Sequence, residues 1–345
     1  MPVTIKEIAN MANVSTATVS MVINNKPGIS SSTRKRVLSI VESYGYNVSP
    51  LKNSLMKRNG TIQLTIYKKH SQVVADTAFF EALIAGIEST ARLSGYQLTI
   101  KSVTSQRLET DMILSEWDDD TVDGILLLGT EMDTGDMCRA MKIDKPLLVL
   151  DACFLGICSN YVVIDNINGV YMGVKHLIEN GHRKIGYLRS SIVIRNFLER
   201  FEGYTKAMAD SNLECDNSYI VPLRSTIEGA YEDMTAYLAD NPELPSAFFA
   251  DNDIIACGAM KALKETGVKI PQDVSLVGFD DMPFCTIIEP ALSTISVNKK
   301  MLGTFAVENL IGLISNNEDY HSKTLLGVDL ISRDSVLACS GGPNV

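Results

Sequence analysis

A run of apolar residues at helical spacing, interrupted once, occupies residues 4–24 and constrains this chain more than any other feature. The first part places its apolar residues at i, i+3, i+4 and i+7, which predicts one buried stripe along a short helix. That stripe consists of Ile5, Ile8, Ala9 and Ala12. Asn13 follows it, and asparagine tolerates a positive φ better than other non-glycine residues, so we expect a tight turn there.

A second short helix is expected after the turn, because Ser15 is suited to cap it and Val19, Val22 and Ile23 fall on one face. Two short helices joined by a tight turn form a helix-turn-helix, whose second helix fits the major groove of DNA. The opposite face carries small or polar residues that can approach phosphates and base edges. These are Ser15, Thr16, Ala17, Thr18, Ser20, Met21 and Asn24. The pattern alone fits an ordinary helical hairpin equally well.

Residues 4–46 decide between these alternatives, because they resemble the N-terminal domain of the lactose/galactose-repressor family of bacterial transcription regulators. The match includes the specific core VSTATVSMVIN and runs nearly unbroken through TRKRVLSIVESYGY. The resemblance implies a helix-turn-helix DNA-binding domain over residues 1–47, with a third helix that starts near residues 29–33. It also implies that Thr4 contacts DNA, together with the outward residues of the second helix.

The next segment, residues 48–60, resembles the hinge helix of the same family, which orders on DNA and wedges a leucine into the minor groove. Leu55 stands at the position of that leucine, and a wedging apolar side chain of this kind kinks the duplex. Pro50 lies later than the family's proline but is compatible with the first turn of a helix. Met21 replaces the arginine that commonly reads guanine, so we expect an operator that departs from the common family site.

Charge is distributed unevenly along the chain. Residues 1–60 contain eight Lys and Arg residues and two glutamates, which is a net charge of +6. Because the whole chain carries −10, the remainder carries −16. A basic head on an acidic body confines the attraction for phosphates to the head. This split supports DNA binding by the N-terminal domain despite the acidic total.

Composition and short motifs argue against several other classes of protein. The chain has 345 residues, 46% of them hydrophobic, and no apolar run long enough for a membrane span. It shows no basic-then-apolar leader, so we expect a cytoplasmic protein. Seven scattered cysteines without a CxxC pair argue against a disulfide framework. Four histidines without metal-ligand spacing predict no metal site, and no motif predicts a cofactor.

From about residue 60 onwards, hydrophobic strands alternate with helices. Strands are predicted at residues 62–67, 98–103, 124–129, 146–150, 184–188, 247–250 and 274–279, and helices include residues 169–180, 201–211 and 254–266. This alternation predicts parallel sheets covered on both faces. Because about 280 residues exceed what one sheet usually takes, we expect two doubly wound parallel-sheet lobes. The fold class is therefore an all-α helix-turn-helix head plus an α/β body.

The body resembles the effector domain of the same family, which is similar to periplasmic sugar-binding proteins. Matching stretches include VVIDNINGVYMGVKHLIENGHRKIGYL and IPQDVSLVGFDD, and together the matches cover almost the whole chain. The resemblance implies that the chain crosses between the lobes near Tyr161, Ala291 and His321. The N-terminal lobe is then 61–161 plus 292–321, and the C-terminal lobe is 162–291 plus 322–340. A ligand should lie between them, outside the carboxyl ends of the strands.

A set of residues in the body matches family positions that contact the effector. They are Phe79, Phe80, Asn196, Arg200, Arg224, Asn252, Asp253 and Asp280. The chemistry suits a polyol, since the Asp280 carboxylate can accept from two neighbouring hydroxyls and the Arg200 guanidinium can donate to sugar oxygens. Asp253 is equally suited to cap the helix that begins at residue 254. Because adjacent phenylalanines are not expected to face one cleft together, one of them should lie in the core.

These observations predict a sequence-specific DNA-binding transcription regulator of the repressor type, controlled by a small ligand between the lobes. A sugar or sugar derivative is the favoured ligand, with nucleobases as the other class, and a near-palindromic operator favours a homodimer. Control by a phosphocarrier protein stays open. Two alternatives are a transport-type sugar-binding protein, which the basic head disfavours, and a doubly wound enzyme acting on a sugar phosphate. The chain shows no GxGxxG, GxxxxGK[ST] or GxSxG motif that would support an enzyme, and we predict no catalytic residue.

Overall fold

The computed structural model describes residues 5–23, 29–43, 59–70, 73–74, 78–109, 119–315 and 321–339. The chain separates into two compact units, Met1–Lys57 and Arg58–Val345, which are the helical head and the effector body. Within the described ranges, no helix has both the length and the apolar character that crossing a membrane requires.

The described part of the head contains helices α1 (Ile5–Met11), α2 (Thr16–Ile23) and α3 (Ser31–Ser43). Asn13, between α1 and α2, has a φ of +48°, which confirms the predicted turn. Ser15 caps α2, because its Oγ accepts a hydrogen bond from the backbone N–H of Thr18 at 3.0 Å. Apolar side chains from all three helices form one buried core, which consists of Ile8, Ala9, Ala12, Val19, Val22 and Val37.

Several predictions for the N-terminal region fall outside the described residues. These are the DNA-contact predictions for Thr4, Asn24 and Leu55, the boundary at residue 47, and the hinge helix up to residue 58. The predicted end of the hinge at residue 60 is wrong, because Gly60 is the first residue of a strand of the body. Gly60 belongs to this strand because it lies opposite Tyr96 in the parallel pairing with the next strand of the sheet.

The first lobe of the body is a parallel sheet flanked by helices. Its strands are β1 (Gly60–Lys68), β2 (Tyr96–Thr104), β3 (Gly124–Leu128), β4 (Leu147–Leu150), β5 (Asn160–Ile164) and β11 (Lys323–Leu326), and they lie in the order β11-β5-β4-β3-β1-β2. Its helices include α4 (Ala78–Leu93), α5 (Ser105–Glu109), α6 (Thr134–Ala140) and α11 (Lys299–Ser315). All the strand pairs are parallel.

The second lobe repeats this architecture. Its strands are β6 (Ile185–Ser190), β7 (Ile220–Leu223), β8 (Ala247–Ala250), β9 (Ser275–Asp280), β10 (Ser293–Ser296) and β12 (Asp329–Ile331), in the order β12-β10-β9-β8-β6-β7. Its helices include α7 (Asn166–Glu179), α8 (Arg195–Asp210), α9 (Ile227–Ala239) and α10 (Asp253–Glu265). The edge strand β12 is antiparallel to β10, and the other pairs are parallel. The predicted fold class of two doubly wound lobes is confirmed.

Burial of the central strands explains why their sequences are continuously hydrophobic. Every residue of β3, β4, β5 and β8 is buried, because helices cover both faces of each sheet. In the first lobe, α4 packs against α11 at two glycines. A Cβ on Gly86 would lie 2.3 Å from the carbonyl oxygen of Lys300, and one on Gly303 would lie 2.5 Å from that of Leu83. These glycines permit the close contact between the two helices.

The predicted crossings between the lobes were each placed too early in the chain. Strand β5 continues past Tyr161 in the first sheet, β10 lies beyond Ala291 in the second sheet, and β11 lies beyond His321 in the first. The crossings therefore follow Ile164, Ser296 and Leu326. For β10 and β11 the error has a simple origin, since these four-residue strands do not contain a continuous hydrophobic run.

Helix α8 also differs from its prediction. It starts at Arg195, so Arg200 lies inside the helix and does not open it. Its first turn includes Asn196 and Phe197, both of which are buried. The prediction failed because no side chain caps this helix: the residue at the cap position is Ile194, which makes no side-chain hydrogen bond to the helix. The observed helix is therefore more than one turn longer at its N-terminal end than predicted. The added residues lie towards the space between the lobes.

Candidate functional site

A cavity between the two lobes contains about 450 Å³ of space, part of it open to solvent. The cavity is lined by Val73, Phe79, Phe80, Thr130 and Asp151 from the first lobe, and by Ile194, Asn196, Phe197, Arg200, Asn252, Ile254, Asp280 and Met282 from the second. Many of these residues follow the carboxyl ends of strands, where ligands of open parallel sheets bind.

Arg200 is the central cation of this cavity, and its side chain is held from several directions. Its Nε donates to Oδ1 of Asn166 at 2.9 Å, and its Nη1 donates to the backbone carbonyl of Asp251 at 2.6 Å. Its Nη2 donates to Oδ1 of Asp280 at 3.2 Å. The guanidinium also stacks on Phe279, with Cζ 3.7 Å from the ring centroid. Arg200 is 3% exposed, so these contacts fix its orientation towards the cavity.

Asp280 is the carboxylate partner of Arg200 at the end of β9. Its backbone has a φ of +108°, and Asp281 follows with +52°, so the chain turns sharply at this point. The Nζ of Lys299 donates to the carbonyls of both residues and supports this turn. Burial raises the pKa of the Asp280 carboxyl, while Arg200 and Lys299 oppose that rise. The side chain stays 15% exposed, which leaves part of the carboxylate open to a ligand.

Asp151 links the two lobes directly. It follows β4 of the first lobe with a φ of +62°, and its Oδ2 accepts a hydrogen bond from the Thr130 hydroxyl at 2.7 Å. Its Oδ1 accepts from Nδ2 of Asn196, in α8 of the second lobe, at 3.0 Å. Burial raises the pKa of Asp151 to about 6, against the opposing effects of Thr130, Arg200 and Asn196. The contact between Asp151 and Asn196 therefore joins the lobes across the cavity.

A pH-dependent contribution to stability follows from Asp151. Because the folded state raises this pKa above the ordinary 3.8, it binds the proton more tightly than the unfolded chain does, so stability is lost as pH rises. In Asp151→Asn, the amide still accepts from Asn196 and can donate to Thr130. We expect the free energy of unfolding of the wild type, relative to this variant, to fall by about 2 kcal/mol between pH 4 and pH 7. Urea unfolding of both proteins across this range measures it, and parallel pH profiles would contradict it.

Two of the predicted effector contacts do not reach the cavity. Asp253 is fully buried, its Oδ2 accepts from the N–H of Met282 at 2.8 Å and its Oδ1 from the Thr294 hydroxyl at 2.6 Å. It therefore supports the chain behind the cavity, and burial raises its pKa to about 7. Arg224 is exposed and binds Asp233 and Glu232 within its own lobe. Both predictions are wrong, because the strand and loop ends orient these side chains away from the space between the lobes.

The remaining predicted residues all line the cavity. Asn252 also caps α10, since its Oδ1 accepts from the N–H of Ile255 at 3.0 Å. Phe79 and Phe80, in the first turn of α4, both belong to the hydrophobic core and both line the cavity, so the expectation that adjacent phenylalanines do not face one cleft together is wrong. Their rings pack edge to face with centroids 5.2 Å apart. This geometry lets two consecutive aromatic residues cover one apolar wall.

Several cavity residues were not identified from the sequence. Asp151 and Thr130 could have been found by the rule that identified Asp280, because each lies directly beyond a strand of the first sheet. Phe197 could have been found only if the start of α8 had been placed correctly. Met282 carried no local signal, because the turn that places it in the cavity depends on the bond from its N–H to Asp253.

The outward face of α2 forms the candidate DNA-contacting surface of the head. Ser15, Thr16 and Ala17 are exposed, and Thr18, Ser20 and Met21 are partly exposed. Val19 and Val22 lie in the core on the opposite face. The exposed side chains are short, so the helix backbone can come close to a nucleic-acid groove.

Comparison with known proteins identifies the class of both units. Residues 4–49 match the bacterial regulatory proteins, lacI family, and residues 174–336 match the periplasmic binding protein-like domain. The ribose operon repressor of Haemophilus influenzae (strain ATCC 51907 / DSM 11121 / KW20 / Rd) is 31% identical over 335 residues, which cover 96% of this chain and 98% of that protein. The HTH-type transcriptional repressor PurR of Haemophilus influenzae (strain PittEE) is 33% identical over 340 residues, with the same coverage. The structure of the transcriptional regulator CelR in complex with cellobiose is 25% identical, covers 96% of this chain and 99% of its own, and superimposes with a TM-score of 0.72.

The chain belongs to the lacI family of bacterial regulatory proteins. It is a DNA-binding transcription regulator that combines a helix-turn-helix head with a periplasmic-binding-protein-like effector body. Its relatives are transcription repressors and not enzymes. The family resemblance drawn from residues 4–46 and from the body is thereby confirmed.

Proposed function

We propose that this protein is a homodimeric, cytoplasmic repressor whose affinity for its operator is set by a neutral, hydroxyl-rich ligand, a sugar or sugar derivative, bound between the lobes. The observation that carries the proposal is the arrangement around one cavity of Arg200 and Asp280 from the second lobe against Asp151 and an aromatic wall from the first. A ligand that contacts both sides favours one angle between the lobes. This is the two-state element that links a ligand site to a distant DNA site.

The polar groups of the cavity favour a ligand that donates hydrogen bonds. Asp280 and Asp151 supply carboxylate oxygens, whereas Arg200 is already paired with Asp280. An anionic ligand such as a sugar phosphate would face both carboxylates with only this paired cation to compensate. Hydroxyl groups can instead donate to Asp280 and accept from the remaining N–H groups of Arg200. The apolar faces of Phe79 and Phe80 suit the C–H surface of a sugar ring. A protein of similar fold, the transcriptional regulator CelR, forms a complex with cellobiose.

For the DNA side, we propose that two heads contact the half-sites of a near-palindromic operator through α2, as helix-turn-helix dimers do. The proposed contacts are Thr4, Ser15, Thr16, Ala17, Thr18, Ser20, Met21 and Asn24, with Leu55 in the minor groove. The basic N-terminal region supplies the attraction to phosphates.

Operator selection tests this proposal. The full-length protein is used to select duplexes from a random library, and its dissociation constant for the selected site is measured with and without pentoses, hexoses, their phosphates and nucleobases. We expect a palindromic site and a 5- to 150-fold change of affinity with a neutral sugar, the range of ordinary allosteric coupling. Ala17→Asp, on the exposed face of α2, should abolish operator binding by repelling phosphates while ligand binding is retained. A response restricted to sugar phosphates or nucleobases would contradict the proposed ligand class.

A further inference from the structure

Glu131, three residues after the end of β3, is a buried carboxylate that accepts hydrogen bonds from four backbone N–H groups in the described part of one loop. Its Oε2 accepts from the amides of Lys69 at 2.6 Å and His70 at 2.8 Å. Its Oε1 accepts from the amides of Val73 at 3.1 Å and Val74 at 2.9 Å. Glu131 is 2% exposed. A buried carboxylate is costly unless it is fully hydrogen-bonded, and these charge-assisted bonds offset that cost.

The amides that Glu131 binds belong to the segment between β1 and α4, which leads into the wall of the cavity. Val73 itself lines the cavity, and α4 begins at Ala78 with Phe79 and Phe80. Glu131 is not among the cavity-lining residues, so it acts on the cavity through its neighbours. The preceding residue, Thr130, lines the cavity and donates a hydrogen bond to Asp151, which also lines it. Thr130 and Glu131 are therefore consecutive residues with different partners: Thr130 binds Asp151, and Glu131 binds the segment that leads to α4.

A second set of contacts holds the same segment from outside. The Nζ of Lys69 lies 2.5 Å from Oδ2 of Asp133 and 3.1 Å from Oδ2 of Asp136. Asp133 is exposed, so its ion pair is screened by water and contributes little. The Glu131 bonds are inside the protein and involve the backbone itself. They therefore hold the backbone at residues 69–70 and 73–74, whereas the ion pairs hold only the side chain of Lys69.

We propose that Glu131 is a positioning residue for the effector cavity: its carboxylate fixes the backbone at residues 69–70 and 73–74, and thereby the position of Val73 and of the aromatic pair at the start of α4. This inference rests on the proposed function insofar as it assumes that the cavity binds the effector. The hydrogen bonds from this segment to Glu131, called the Glu131 clamp below, are a property of the free protein. They can therefore be tested without a ligand.

Hydrogen exchange of the full-length free protein, read by mass spectrometry, tests the clamp with Glu131→Gln. The NH2 group of the glutamine side chain cannot accept a hydrogen bond, so two of the four backbone N–H groups lose their acceptor. We expect exchange of the amides in residues 69–74 to accelerate at least about tenfold. Amides of β3 and β4 should keep wild-type rates. Glu81→Gln, on the exposed face of α4, is the matched control and should leave all rates unchanged.

Two outcomes would overturn the inference. Unchanged exchange in residues 69–74 would show that the carboxylate does not hold this segment. Faster exchange across the whole first lobe would show a general structural role without positioning. If Glu131→Gln does not fold, Glu131→Asp takes its place; its side chain is one methylene shorter, cannot reach all four amides, and should give the same local acceleration.

The consequence for the cavity is measured on the same variants with the compound that alters operator affinity in the wild type. Glu131→Gln should bind that compound about tenfold more weakly, with unchanged affinity for operator in its absence. An unchanged ligand affinity, together with local loosening of residues 69–74, would overturn the positioning role. If no compound in the panel acts on the wild type, the proposed function fails, and the exchange result still decides whether Glu131 clamps the segment.

Discussion

Arg200→Ala is expected to lower the free energy of unfolding of the effector body by about 3–5 kcal/mol, the usual cost of removing one member of a buried charge pair. Arg200 is almost fully buried and donates to Asn166, to the carbonyl of Asp251 and to Asp280. Alanine leaves those acceptors without their donor and leaves a space against the ring of Phe279. Urea unfolding of the full-length protein, followed by the fluorescence of the single tryptophan, Trp117, measures the change.

Arg195→Ala is the matched control for this experiment. Arg195 lies in the first turn of the same helix and makes one ion pair, with Nε 3.1 Å from Oε1 of Glu199. Because its side chain is 29% exposed, the pair is partly solvated, and we expect a loss of no more than about 0.5 kcal/mol. Equal losses in the two variants would show that Arg200 does not organise the interior of the cavity.

Asp280→Asn is expected to remove most of the response to the ligand while the protein remains folded. Asparagine keeps the shape and one acceptor oxygen but loses the charge that binds ligand hydroxyls and Arg200. The loss of a hydrogen bond to a charged group, about 1.5–3 kcal/mol, corresponds to roughly 100-fold weaker binding. At 100 times the wild-type dissociation constant, ligand stabilisation should fall from about 2.7 kcal/mol to about 0.4 kcal/mol.

A thermal-shift screen against neutral sugars, sugar phosphates and nucleobases measures this change, with Asp281→Asn as the neighbouring control. Asp281 pairs with Arg333 at 2.6 Å and does not line the cavity. We therefore expect Asp281→Asn to retain the wild-type increase of the midpoint, whatever its effect on the free protein. A full response in Asp280→Asn, or a loss in both variants, would contradict a specific role for Asp280.

The head shows how much local sequence can determine. Apolar residues at helical spacing, an asparagine that tolerates a positive φ and a serine cap are all local signals, and the structure confirms each of them. Seven of the twelve described strands were predicted for a related reason: buried parallel strands are continuously hydrophobic, as β3 and β8 are. Short edge strands such as β11 and β12 carry no such run, because only part of their surface is buried.

The effector cavity shows the opposite case. Arg200, Asp280, Asn196 and Asn252 were correctly placed at the cavity from the family resemblance, but Asp253 and Arg224 were not. The direction of each carboxylate depends on the local turn of the backbone. At Asp280 and Asp281, for example, both residues have positive φ. Adjacent residues can therefore point in opposite directions, and sequence spacing does not distinguish them.

By itself, the sequence determined the alternation of helices and buried strands and the separation of a basic DNA-binding head from an acidic α/β body. Those properties depend on periodicity, capping and charge, which are local or additive along the chain. Membership of a family of regulators came from the resemblance of extended motifs in the head and the body. Only the tertiary structure decided where the chain crosses between the lobes, that Asp151 bonds Asn196 across the cavity, and that Glu131 holds the segment leading to Phe79. These contacts join residues far apart in sequence, and a hydrogen bond depends on distances and angles that folding alone sets.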